Sequence, residues 1–153
     1  MKLTTKTRYG MRAAVDLAER YKEGPVSVSS ISKREDISVP YLEQLLNRLK
    51  KSGIVKSRRG PSGGYALAKD PKHISVYDIV RVLEGDMSIV FCLSDKKTKY
   101  CAKIDNCVTK LVWQKLNKSI ENVLSSFTLE DLCENSKRPR KDKILNHKFR
   151  YDI

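Results

Sequence analysis

Residues 58–65 read Arg-Arg-Gly-Pro-Ser-Gly-Gly-Tyr, a basic glycine-rich stretch set between two short β-prone runs at 54–58 and 65–67. Glycine and proline at this density interrupt strands and helices, so the segment predicts a hairpin with a long tip. The residues before it have a helical period. Leu42, Leu45, Leu46 and Leu49 share one face of a predicted helix over 39–52, and Tyr41, Gln44, Asn47, Arg48 and Lys51 take the other. Ser38 is placed to cap this helix, Pro40 suits its first turn, and Gly53 stops it.

Upstream, 5–21 predicts an amphipathic helix with Gly10, Ala13, Ala14, Leu17, Ala18 and Tyr21 inward and Arg12, Asp16, Glu19 and Arg20 outward. Gly24-Pro25 breaks it, and a short helix follows over 28–34 with Val28 and Ile31 inward, then a turn over 35–38. Helix, turn, helix and basic hairpin in this order make a winged helix-turn-helix. The expected fold class is mainly α with a small β-hairpin wing, extended by a long dimerisation helix.

Thirty-one Lys and Arg against 18 Asp and Glu give the chain a net charge of +13, which favours a polyanionic partner. No run of about 18 apolar residues exists to cross a bilayer, and the charged start lacks the apolar core of a signal peptide, so a cytoplasmic location without a membrane partner is expected. No phosphate loop, nucleophile–base pair or carboxylate pair stands out, so no catalytic residues are assigned and the chain is not read as an enzyme.

A basic helix face is ordinarily just solvated. Here it adjoins the glycine-rich hairpin, and between Gln44 and Pro61 there are six cations (Arg48, Lys50, Lys51, Lys56, Arg58, Arg59) and no acid. The predicted partner is double-stranded operator DNA. Gln44 can bond adenine, Glu43 can accept from cytosine, and Tyr41 and Arg48 can reach a base edge or a phosphate. Lys51 and Arg58 are expected at phosphates. Arg59, beside Gly60, is placed to enter the minor groove.

Beyond Asp70-Pro71 a helix is predicted over 76–83, and 87–106 reads as a loop. The longest helix, over 108–127, carries Val108, Leu111, Val112, Leu116, Ile120, Val123, Leu124 and Phe127 as one apolar stripe. That stripe exceeds what a small winged domain can cover, so it predicts a homodimer interface. A short capped turn or helix follows from Thr128. The domains are thus 1–70 for DNA binding, 71–133 for dimerisation with a cysteine-bearing loop at 88–107, and a basic, mobile tail at 134–153.

Cytosolic thiols stay reduced, so the four cysteines read as ligands, sensors or core residues rather than disulfides. Cys92, Cys101 and Cys107 lack the close pairs of common zinc sites, and their wide spacing suits an iron–sulfur cluster. Unligated thiols or a redox switch fit the spacing equally well. Cys133 reads as a small buried hydrophobe at a helix end. His73 and His147 have no partner at metal-binding spacing.

Three segments carry a family resemblance: Lys2-Leu-Thr-x-Lys-x-Arg-Tyr-Gly, Ile37-Ser-x-Pro-Tyr-Leu-Glu-Gln-Leu-Leu-x-Arg-Leu and Arg59-Gly-Pro-x-Gly-Gly-Tyr. With 76–84, the three cysteines and the long helix, they closely resemble the winged-helix regulators typified by IscR, over about residues 1–133. The resemblance implies operator contacts from Tyr41, Glu43, Gln44, Arg59 and Gly60. It also implies a cluster on Cys92, Cys101 and Cys107, 2Fe–2S in preference to 4Fe–4S.

The chain departs from that pattern at the fourth ligand. Lys110 stands where the family has a histidine, and a protonated lysine is a poor iron ligand. Some relatives use an acid near the start of the first helix of the partner subunit, and Arg8 stands there. Asp105, Asp95, Cys133, a small molecule or water are left, with Asp105 favoured because it lies inside the loop. The expected function is a dimeric regulator of transcription, a repressor, that senses cluster status or redox state. The rival is a regulator of the same family without a cluster, controlled by thiol chemistry or a partner protein. An iron–sulfur assembly or carrier protein is a remoter reading, against which the wing argues.

Overall fold

The leucine stripe of the predicted third helix is the centre of the core. In the computed structural model, which describes residues 3–94 and 101–136, Leu42, Leu45, Leu46 and Leu49 are all buried on α3 (Val39–Lys51). They meet Ala13, Ala14 and Leu17 from α1 (Thr5–Glu19) and Ile31 from α2 (Val28–Glu35). The wing follows α3 directly. Its strands β1 (Val55–Arg58) and β2 (Gly64–Leu67) are antiparallel with Val55 opposite Leu67 and Arg58 opposite Gly64. Val55 and Leu67 point into the core, and this fixes the register, because a one-residue slip would turn both outward.

The second half closes over α1. Helix α4 (Val76–Glu84) buries Ile79, Val80 and Leu83, and α6 (Leu129–Ser136) adds Leu129 and Cys133 to the buried set. Both helices begin with reciprocal caps. Ser75 and Asp78 exchange side-chain and backbone hydrogen bonds at the start of α4, as Thr128 and Asp131 do before α6. A short antiparallel bridge ties the two starts together, with Val76 N donating to Phe127 O at 2.8 Å and Leu129 N to Ile74 O at 3.0 Å.

Several expectations are corrected. Asp16 is not on a solvated face: it is 2% exposed, because Arg34 and Arg20 converge on its carboxylate. Tyr21 lies beyond the end of α1 and is exposed. Ser38 occupies the cap position of α3, but its side chain accepts no capping bond. The long helix is α5 (Lys110–Ser125), so Val108 and Phe127 lie outside it, and the described part of the loop before it contains a 3-10 turn at Phe91–Leu93. Residues 134–136 belong to α6 rather than to a tail. The rest of that tail, and Asp95, lie outside the described residues. Among the described residues no helix is long and apolar enough to cross a membrane.

Candidate nucleic-acid interface

Because α3 buries its leucines, its opposite face is left to water. Glu43, Gln44, Asn47, Arg48, Lys50 and Lys51 are exposed there. The wing adds Lys56, Arg58, Arg59 and Gly60, also exposed. Among the described residues, Arg48, Lys50, Lys51, Lys56, Arg58 and Arg59 form no ion pair with an acid. Their charge is therefore available to phosphates rather than spent within the chain.

Local chemistry holds the wing against α3. Val26 and Tyr65 exchange both backbone hydrogen bonds at 2.8 Å, adding a short third edge to the hairpin. Gly64 permits this, since a Cβ there would lie 2.2 Å from the Val26 carbonyl oxygen. The Tyr65 hydroxyl donates to Asn47 Oδ1 at 3.3 Å, linking the wing to α3. Burial, with the nearby Glu43 carboxylate, pushes the Tyr65 phenol up, so it stays a neutral donor. Asn47 and Tyr65 were legible only as a polar-face residue and a motif residue, and their pairing needed the fold. At the tip, Gly60 has φ 109° and its carbonyl accepts from Gly63 N at 2.8 Å.

Tyr41 differs from its predicted place. It is half-buried, with its ring edge-on to Tyr9 at 6.1 Å between centroids, while the Arg12 guanidinium lies 5.5 Å from the Tyr9 ring centre. The first helix thus sets the position of Tyr41, a role for Tyr9 that the sequence pattern did not single out.

The cysteine loop lies at the other end of α4. Cys92, Cys101 and Cys107 are each partly exposed, whereas Cys133 is buried on α6, its Sγ 3.9 Å from the Val15 carbonyl. Cys107 Sγ lies 3.3 Å from Thr109 Oγ1. That hydrogen bond pulls the Cys107 thiol below its ordinary pKa, outweighing desolvation and helped by the Lys110 backbone amide and ammonium. Lys110 Nζ also donates to Ile104 O at 3.4 Å, so the residue at the expected ligand position braces the loop instead. Asp105 is exposed. Ile89 N donates to Asn117 Oδ1 at 3.2 Å, which ties the start of the loop to α5.

Three thiols suit the chemistry of an iron–sulfur cluster. Yet among the described residues no three His, Cys, Asp or Glu side chains come together as a metal site. The donor set fits the group, and the arrangement does not by itself form a closed site.

Comparison with known proteins places this architecture. The sequence pattern of the Rrf2 family of iron-dependent transcriptional regulators matches residues 3–135. The HTH-type transcriptional regulator IscR of Photorhabdus laumondii is 41% identical over 135 residues, covering 88% of this chain and 80% of that one. The structure of IscR from T. potens superposes with a TM-score of 0.71 at 47% identity, covering 90% of this chain and 89% of the other. That of CymR, the global cysteine regulator of B. subtilis, also gives 0.71, at 40% identity over 88% of this chain and 97% of the other.

Proposed function

The chain belongs to the Rrf2 family of transcriptional regulators, and from that premise we propose that it represses transcription as a homodimer, gripping operator DNA with α3 and the wing under control of its cysteine loop. It is a DNA-binding regulator and not an enzyme. The observation that carries the detailed reading is the acid-free run of unpaired cations that continues from α3 into the wing. Glu43 and Gln44 on that face supply base-edge chemistry, while Arg48, Lys51 and Arg58 serve phosphates and Arg59 the minor groove.

The α5 stripe supports the homodimer. No residue of α5 is buried, and Leu111, Val112, Leu116 and Val123 are 63%, 58%, 46% and 41% exposed. An apolar face this open calls for a second copy. Two recognition helices would then meet half-sites about 34 Å apart.

For the signal, Cys92, Cys101 and Cys107 are the residues that would hold an iron–sulfur cluster, which when bound supplies sensitivity to iron and oxidants. The Asn117 tether carries changes in the loop to α5 and hence to the spacing of the two α3 helices. A second reading, thiol oxidation without a cluster, is favoured by the Cys107 thiol, which the Thr109 hydroxyl, helped by Lys110, draws below its ordinary pKa. The test is iron, sulfide and visible absorbance of anaerobically prepared protein, beside Cys101→Ser. Stoichiometric iron and sulfide that the variant loses supports the cluster. Absence of both from the wild type overturns it and leaves the thiol reading, which requires peroxide treatment to change operator affinity.

A further inference from the structure

A cavity of about 620 Å³ lies between the hairpin and the turn after α1, bordering the candidate DNA-facing surface of the wing. That is within the roughly 300–1,000 Å³ of small-molecule sites. Lys56 and Arg58 line it from β1, where strand alternation sends them to the side opposite buried Val55. Lys22 lines it from the turn. The two walls are held together by the paired hydrogen bonds between Val26 and Tyr65.

No acid lines this space, and none of the three cations forms an ion pair with a described residue. Like charges gathered around one volume disfavour one another, and an anion between them relieves that cost. The rest of the wall supplies apolar surface from Pro25 and Ala66 and the ring of Tyr21. We propose that this cavity is an effector site for a small organic dianion, a phosphate ester or a dicarboxylate, with an apolar body lying against Pro25 and Ala66.

Such an occupant would act on DNA binding. Arg58, itself assigned to a phosphate, borders the cavity and immediately precedes Arg59 at the wing tip, so a bound dianion competes with DNA for that positive charge and weakens the hold of the wing on phosphate. The site itself stands apart from the cysteine loop. Its effect on DNA rests on the reading of the wing as a DNA contact.

The test is calorimetric titration of the full chain, without DNA, using phenyl phosphate and phthalate at constant ionic strength, with inorganic phosphate as the head group alone. The expected result is saturable binding of phenyl phosphate or phthalate, whichever head group fits, at one per chain. Inorganic phosphate should bind at least about tenfold more weakly, a difference of roughly 1.4 kcal/mol. Lys22→Ala should weaken the organic anion at least about tenfold, and Ala66→Trp, which fills the cavity, should abolish binding. No saturable binding up to about 10 mM, or binding untouched by both substitutions, overturns the site. Lost affinity for random DNA in Lys22→Ala, with no small-anion binding, would assign these cations to backbone phosphates and also overturn it. In a second arm the organic anion should loosen operator DNA from the wild type but not from Ala66→Trp. Anion binding with unchanged DNA affinity would refute the regulatory link and leave the site standing.

Discussion

Asp16 on α1 and Arg34 on α2, 18 residues apart in sequence, are locked by two parallel hydrogen bonds, Nε to Oδ1 at 2.7 Å and Nη2 to Oδ2 at 2.8 Å. Arg20 adds a third bond to Asp16 Oδ1 at 2.9 Å. The paired carboxylate holds the Arg34 guanidinium firmly protonated. Arg12 and Glu35 form a second clasp between the same helices at 2.9 Å. Because α2 leads through the left-handed Asp36 into α3, this clasp sits at the base of the helix proposed to read DNA.

Arg34→Ala should therefore destabilise the fold. It strands a carboxylate that is 2% exposed with Arg20 as its remaining partner, although Arg34 itself is 34% exposed and its pairing is partly screened. The expected cost in urea unfolding is about 1–3 kcal/mol, with the double variant Asp16→Asn/Arg34→Ala costing less than the sum of the two singles. Strict additivity would show that the two residues do not act as a unit.

In equilibrium DNA binding, Lys51→Ala should weaken operator and random DNA alike and lower the salt slope by about one per subunit. A loss confined to the operator would contradict a phosphate contact.

Leu116→Asp should leave the chain monomeric in sedimentation where the wild type forms the proposed dimer, by placing a charge on the apolar α5 stripe. Affinity for a two-half-site operator should fall by about 10²-fold or more as the second half-site loses its tether. A dimer of unchanged strength would move the interface elsewhere.

Glu84 gives a pH dependence. Burial pushes its carboxyl up, but hydrogen bonds from Thr7 Oγ1 at 2.6 Å and from Thr4 N and Oγ1 at 2.7 and 2.9 Å, with Lys6 nearby, hold it below its ordinary value. A depressed folded-state value means stability that is present above the unfolded value of about 4.3 and lost as pH falls through the folded value. The stability advantage of wild type over Glu84→Gln should be full near neutrality and shrink as pH drops below about 4. An advantage that does not vary with pH would assign Glu84 a packing role only.

What could be read along the chain was whatever has a short period. The α3 leucines repeat at helical spacing and the hairpin is marked by its glycines, so the core stripe and the wing were visible in order. Asp16 was misread because a charge among charges on a helix looks solvated, and its partner lies on another helix. The edge contact of Tyr9 with Tyr41, the Tyr65–Asn47 link and the grip of Glu84 on the start of α1 likewise join distant residues. The cysteine triplet was visible, whereas the substitution at Lys110 showed only what does not ligate; that its ammonium braces the loop beside Cys107 emerged from the fold.

The most direct test of the DNA-reading surface is competition between an operator selected from genomic fragments and random duplex at physiological salt, for wild type and for the Gln44→Ala/Arg59→Ala double variant. The wild type should prefer the operator by about 10³-fold or more. The double variant should lose most of this preference, by roughly 1–3 kcal/mol for each contact removed, while its random-DNA affinity changes little. A wild-type protein with no preference, or a double variant that keeps it in full, would contradict the assignment of base reading to α3 and the wing.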